Sequence, residues 1–490
     1  MKNILTSLLF VVAVLLFLGS CYKDEGNYDY TDINNISITS DSNSIRVMLP
    51  DTLRVNTVIT QTKPGTEGLS FQWVLYPAIG APTTRRTIGT DQNLKAIITE
   101  EPGSYRLDFF VKDKQTGVEF QKTFSISVLT KLSEGWVVVE EKAGGCDLTM
   151  ITPIDSIYRD VYSPTNGDQL LPLGTSRIPD IKTNRGIQSV YVLSPADGQY
   201  VSTENFLKVR PYPELFYQAP NPPKPQEYFM NTDFEVMVDN GKLYNRALNL
   251  PAGNNKLTLP PLGPAGDYYM APFEMYAAAI GYIWYDTIGQ RFYRQSTTNF
   301  ELSAFGSAQP TDLFDMNNIG KRLIYAEVNA VGANNVFYSF FRNNNDDSLF
   351  AFSFQTSPPT GQRMPVARYD GLDAPGMHTA KFFVLSRSLP HLYYTSGNVI
   401  YRLDIPAKTA APVYTFPAGT EIRAMKMYRN LKTTDANTNK MIAVATLEGG
   451  TQGKVYYFPI AATGNFTNNT YSKVFTGFGK INEITFKSLK

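Results

Sequence analysis

Gly135-Trp136-Val137-Val138-Val139-Glu140, a Gly144-Gly145 turn, and Cys146-Asp147-Leu148-Thr149-Met150-Ile151 form two β-branched runs joined by glycines. Such a pattern predicts an antiparallel hairpin. The same pattern recurs down the chain. Ser189-Val190-Tyr191-Val192-Leu193-Ser194 opens a second hairpin, and Phe234-Glu235-Val236-Met237-Val238 turns at Asp239-Asn240-Gly241 into Lys242-Leu243-Tyr244. Ile280 to Tyr285 turns at Ile288-Gly289 into Arg291-Phe292-Tyr293, and Val336 to Phe340 turns through Asn343–Asp347 into Leu349–Phe352. Leu392-Tyr393-Tyr394 turns at Ser396-Gly397-Asn398 into Val399–Leu403, and Met441–Leu447 turns at Gly449-Gly450 into Lys454–Phe458. A hairpin roughly every 45 to 55 residues is the period of propeller blades, each a four-stranded sheet of which the hairpin supplies two strands. The expectation for residues 131–490 is therefore a seven-bladed β-propeller, with one or two helical turns over Thr311–Leu323.

Upstream, the strands are shorter and closer together. Ile36-Ser37-Ile38, Ile45–Leu49, Thr52–Thr62, Phe71–Tyr76, Ala96–Ile98, Tyr105–Asp113 and Phe120–Val128 alternate apolar and polar residues between turn signals. About seven strands in about 100 residues spell a small β-sandwich over 33–130. Pro102-Gly103-Ser104-Tyr105-Arg106-Leu107, Val111-Lys112-Asp113 and Phe124-Ser125-Ile126-Ser127-Val128, with Trp73 as core aromatic, resemble the last strands of a PKD-type immunoglobulin-like domain. The fold class expected is thus all-β, a PKD-like sandwich followed by the propeller.

The first twenty residues read as an export signal. Lys2 precedes a run from Leu8 to Leu18 with scarcely a polar atom, too short for a comfortable permanent span. Leu18-Gly19-Ser20-Cys21 resembles the bacterial lipobox, which implies a chain lipidated at Cys21 and held to a membrane by its acyl groups. Residues 21–32 then form a tether, in which Lys23-Asp24-Glu25 resembles the surface-export signal of Bacteroidetes lipoproteins. Together with the PKD-like stretch, these features resemble the PKD-like lipoproteins of Bacteroidetes. That resemblance implies a lipid-anchored outer-membrane protein facing the exterior, without enzymatic activity. Its implied role is that of an accessory to a SusC/SusD-like nutrient importer, helping to capture oligopeptide or glycan.

Composition narrows the chemistry. Of 490 residues, 43% are hydrophobic and 18% charged, which suits a folded chain. Lys+Arg 45 against Asp+Glu 44 removes any general electrostatic case for nucleic acid. With Cys21 lipidated, Cys146 has no disulfide partner and reads as a buried, inert thiol. The only histidines, His378 and His391, lack the neighbours a zinc site requires. The Asn343–Ser348 run offers oxygen ligands but lacks the glycine and distal glutamate of a calcium loop. No metal or cofactor is expected. Asp286, Asp404 and Glu448 are the acids available to the alternative reading, a propeller hydrolase acting on extracellular glycans, but each stands beside a hairpin turn. Two proline-rich, aromatic stretches, 210–229 and 260–273, read instead as contact loops. Tyr212, Phe216, Tyr217, Tyr228, Tyr268 and Tyr269 are their expected anchors, pre-ordered by the prolines.

Overall fold

The computed structural model describes residues 33–489, apart from 66, 79–84, 175–176, 185–186, 232–233, 249–255, 261–262, 264–265, 278–280, 298, 330–335, 356–363 and 431–434. Leu18, Gly19, Ser20, Cys21, Lys23, Asp24 and Glu25 lie outside the described residues. The chain divides into two compact units, one of residues up to 98 with 104–127, the other of 99–103 with 128 onward.

The first unit is a layered β-fold. A five-stranded sheet runs in the order Ser44–Met48, Glu119–Leu129, Gly103–Asp113, Leu69–Pro77, Arg86–Gly89. Two ribbons accompany it, Ile36–Thr39 with Val58–Gln61 and Thr52–Val55 with Leu94–Ile97. Thr52–Thr62, expected as one strand, is two. It breaks at Asn56-Thr57, where Thr57 is buried and its amide donates to Asn93 Oδ1 at 2.9 Å. The core forms because alternate residues face inward. Trp73 stacks on Phe109 with ring centres 4.0 Å apart, leans on Phe124, and satisfies its indole N–H on the Asp91 carbonyl at 2.8 Å.

In the second unit, seven antiparallel sheets of three or four strands follow one another along the chain among the described residues, with a two-stranded ribbon, Thr183–Asn184 with Ile187–Gln188, between the first and second. Sheet I contains Gly135–Lys142, Gly145–Ile151, Ile157–Tyr158 and, from the far end of the chain, Ile481–Lys487. Sheet II holds Val190–Ser194, Asp197–Val201 and Lys208–Pro211, extended by an Arg177–Leu193 bridge. Sheet III holds Pro225–Met230, Phe234–Asp239 and Lys242–Ala247, extended by an Asn245–Thr258 bridge. Sheet IV is Tyr276–Ala277, Gly281–Asp286, Arg291–Gln295 and Leu302–Ala304; sheet V is Arg322–Asn329, Val336–Arg342, Leu349–Gln355 and Pro365–Asp370. Sheet VI is Phe383–Leu385, His391–Ser396, Val399–Asp404 and Thr409–Thr415; sheet VII is Glu421–Met427, Met441–Glu448, Gln452–Pro459 and Lys473–Phe478. Each of the seven hairpins read in the sequence falls within one of these sheets. Thr311–Leu323 makes turns rather than helix, with Asp315 bridged to Asn318.

Apolar clusters join each sheet to the next. Val137 and Val139 of sheet I meet Val190 and Val192 of sheet II, and Tyr191 and Leu193 meet Tyr228 and Met237 of sheet III. Val236 and Val238 then meet Trp284 of sheet IV, and Phe292 meets Phe337 and Phe354 of sheet V. Phe340 meets Leu392 and Tyr394 of sheet VI, and Tyr393 meets Ile442 and Phe458 of sheet VII. Ala443 and Val455 finally return to Trp136 and Ile484 of sheet I. The last sheet thus packs back on the first, which makes the succession a ring of contacts, and Ile481–Lys487 pairs with Gly135–Glu140 of the first sheet.

Candidate functional site

The contacts between successive sheets set Arg322–Asn329 beside Phe383–Leu385, then Glu421–Met427, then Ile481–Lys487. Residues of or beside these strands line a cavity of about 730 Å³. A second cavity of about 440 Å³ shares Arg177, Lys381, Phe382 and Glu483 with it.

The walls combine aromatic rings with an unusual density of charge. Tyr325 stacks on Phe383 at 5.1 Å, with Phe273 edge-on to it. Most of the charges pair across the ring. Lys426 of sheet VII reaches Asp180 at 3.3 Å, and Lys182, in the same segment as Asp180, pairs with Glu274 beside sheet IV. Arg177 meets Glu227 of sheet III at 3.4 Å. Glu327 of sheet V receives Arg429 and, at 3.7 Å, Arg387. Several of these pairs skip a sheet, so they tie the ring across its middle.

The environments of the acids differ. Lys426, with Arg429 and Lys182 behind it, holds the Asp180 carboxyl far below the ordinary carboxylate range. Burial pushes the Glu227 carboxyl up, and Arg177 opposes that only in part. Chemically, the cavity can hold charged groups of either sign and offers aromatic faces for apolar parts of a ligand.

The residues singled out in the sequence lie elsewhere. The 210–229 stretch is not one extended loop. Lys208–Pro211 and Pro225–Met230 are strands, with a 3-10 turn at Tyr212–Leu215 between them. Tyr212, Phe216 and Tyr228 are buried between sheets II and III and present no contact surface. Their polar groups are met internally. Tyr212 Oη donates to Asp239 Oδ2 at 2.8 Å and Tyr228 Oη to Glu235 Oε1 at 2.6 Å. Tyr217 does project, with 64% of its surface exposed. Tyr268 is half-buried beneath the Lys242 ammonium, 3.8 Å from its ring centre. Tyr269 hydrogen-bonds Gln226 at 2.9 Å and lies over Gly241, where a Cβ would meet its ring at 2.4 Å and φ is +72°. Only glycine fits there.

The acids considered for hydrolysis serve turns. Asp286 accepts the amides of Tyr269, Ile288 and Gly289; Asp404 accepts that of Ala407; Glu448 binds Lys454 and Tyr456 Oη. Cys146 is buried, and burial raises its thiol pKa. His378 is exposed on a turn, whereas His391 is buried with Nε2 3.7 Å from Asp404. Asp346 closes the Asn343–Ser348 turn by accepting Asn343 Nδ2 and the Ser348 amide.

None of the cavity's ion-pairing residues stood out in the sequence. The available signal was a charge set among apolar residues in a strand just upstream of a hairpin, as at Glu327 in Leu323-Ile324-Tyr325-Ala326-Glu327-Val328 and Lys426 in Ala424-Met425-Lys426-Met427.

Comparison with known proteins bears on fold and family. A model of the PKD-like family matches residues 21–172, so the N-terminal domain is PKD-like. No curated protein matches the chain by sequence. Among solved structures, a quinoprotein alcohol dehydrogenase-like protein from Bacteroides thetaiotaomicron is similar at 13% identity and TM-score 0.40, over 91% of this chain and 96% of that one. A protein described as a candidate 6-phosphogluconolactonase from Bacteroides uniformis is similar at 10% identity and TM-score 0.37, over 85% of this chain and 99% of that one.

Proposed function

We propose that the ring of residues 131–490 is a seven-bladed β-propeller and that the protein is a surface lipoprotein, anchored at Cys21 to the outer membrane. In this reading it serves a SusC/SusD-like importer as a non-enzymatic subunit that captures oligopeptide or glycan. The observation that carries the capture role is the central cavity. Four of its acids, Asp180, Glu227, Glu274 and Glu327, are each engaged by a cation from another segment rather than left facing one another. Such an arrangement favours holding a polar ligand over cleaving it. Tyr217, exposed at the surface, is the docking contact in this reading.

The test is fractionation and co-purification. Cys21→Ala is expected to leave the membrane fraction, and alanine at Lys23, Asp24 and Glu25 to leave a lipidated protein shielded from protease added to whole cells. Detergent-solubilised outer membrane should yield the protein with a TonB-dependent transporter. Recovery without any transporter would overturn the accessory reading.

One observation favours a hydrolase instead. Asp180 and Glu227 share the cavity with pKa values displaced in opposite directions, as an acid and base pair requires. Turnover of any peptide or glycan by purified protein would favour that reading, and its loss in Glu227→Gln would place the chemistry here.

A further inference from the structure

Charge is unevenly placed around the cavity. Sheets III, IV and V contribute Glu227, Glu274 and Glu327, while sheets VI and VII contribute Lys381, Arg387, Lys426 and Arg429 from their first strands or the residues beside them. Two of these cations converge on one acceptor oxygen. Arg429 Nη2 contacts Glu327 Oε1, and Arg387 Nη2 stands 3.7 Å from it. The other oxygen, Oε2, is already occupied by Tyr325 Oη–H at 2.6 Å and the Leu385 amide at 2.8 Å. One carboxylate therefore faces two guanidiniums.

Both guanidiniums retain donor capacity. The Nε–H groups of Arg387 and Arg429 are buried without an acceptor. Arg291, Arg342 and Arg402 share that feature, but they sit on hairpin strands, whereas Arg387 and Arg429 line a cavity. A guanidinium fork is shaped for the two oxygens of a carboxylate, and an Arg-Glu-Arg cluster leaves one positive charge uncompensated. The cavity as a whole repeats the imbalance, with six cationic side chains against five carboxylates. Burial lowers the pKa of the Arg387 guanidinium, and Glu274 nearby opposes the shift.

We infer that the Arg387–Glu327–Arg429 cluster is an anion subsite that takes the carboxylate of the captured ligand, Glu327 holding both guanidiniums in place until a ligand shares them. The inference rests on the capture role proposed above and deepens it to a ligand class: one bearing a carboxylate beside an apolar or aromatic-stacking portion. That chemistry occurs at the C-terminus of a peptide and in the uronic acids of an acidic glycan.

Calorimetric titration of the detergent-purified full-length protein separates the two sources. Trialanine is compared with trialanine amide, and trigalacturonate with its methyl ester. The subsite requires that at least one acid bind at least about tenfold more tightly than its neutralised counterpart. Which pair discriminates identifies the source. Arg387→Lys should weaken the acid by about tenfold while leaving the neutral probe and the melting temperature unchanged. Glu327→Gln should strengthen it, because the competing carboxylate is gone and the fold keeps its Tyr325 and Leu385 hydrogen bonds. Equal affinity for acid and neutral probes overturns the subsite and leaves capture standing. Absence of binding by every probe overturns the subsite too, and a transporter still recovered with the protein would then reduce its role to docking.

Discussion

The sandwich and the ring fill their middles with different material. In the sandwich, Trp73, Phe109 and Phe124 lie at the centre, and Leu94 and Trp73 crowd Gly89 so closely that a Cβ there would lie 2.6 Å from Leu94. In the ring, large aromatics pack between neighbouring sheets, as Trp284 does against Phe229, and the middle is a cavity whose aromatic walls also carry charged side chains. Geometry accounts for the difference. A sandwich sheet has one inward face, so removing apolar surface from water must happen in the middle. Each sheet of the ring buries both faces against its two neighbours, so the centre is not needed for stability and can carry polar chemistry.

The largest expected effect tests that contrast directly. Trp73→Ala should cost the sandwich about 3–5 kcal/mol, because it opens a cavity against Phe109 and Phe124 in the buried core. Lys426→Met, in the middle of the ring, should change stability by less than about 1 kcal/mol, as expected for a partly exposed ion pair. Guanidinium unfolding followed by tyrosine and tryptophan fluorescence measures both. Comparable losses from the two substitutions would break the comparison.

A second pair sharpens it within the ring. Phe216 packs edge-on to Tyr212 and Tyr244 between sheets II and III, whereas the adjacent Tyr217 is exposed. Phe216→Ala should destabilise by about 3 kcal/mol. Tyr217→Ala should change stability by no more than about 0.5 kcal/mol, and only it should alter transporter recovery from membranes. An effect of Phe216→Ala on recovery without any fall in melting temperature would restore the reading of this stretch as a contact loop.

These neighbours also show what the sequence could and could not reveal. The seven hairpins were legible because alternation and turn residues are local signals; Asp239-Asn240-Gly241 specifies its turn whatever surrounds it. The pairing of Ile481–Lys487 with Gly135–Glu140 joins residues more than three hundred positions apart, and nothing local announces it. Prolines around Tyr212 and Phe216 suggest an extended loop, yet Pro211 ends an edge strand and Pro213 lies in a tight turn. The acceptors that let the nearby tyrosines be buried, Asp239 and Glu235, belong to a different strand of sheet III. The cavity was illegible for the same reason at larger scale. Its charges come one to three from each sheet or the segment beside it, and only the packing of the sheets around the cavity assembles them.

The smallest expected effect lies inside that cavity, where two carboxylates should respond to acid in opposite senses. Glu227 has a folded-state pKa above its unfolded value of 4.5, with burial as the main cause. The folded chain therefore holds its proton more tightly, and stability rises as pH falls from the folded pKa towards 4.5. Asp180 has a folded-state pKa below its unfolded value of 3.8, with Lys426 as the main cause. Its contribution is complete above 3.8 and is lost as pH falls further towards the folded pKa. Thermal unfolding across pH 3 to 7 should thus show a limb that rises on acidification and then one that falls. Glu227→Gln should flatten the first and Asp180→Asn the second, each by about 0.5–1 kcal/mol given the screening of partly exposed charges. Identical profiles for the two variants would mean that the carboxylates do not occupy the distinct electrostatic environments on which the acid and base reading of this pair depends.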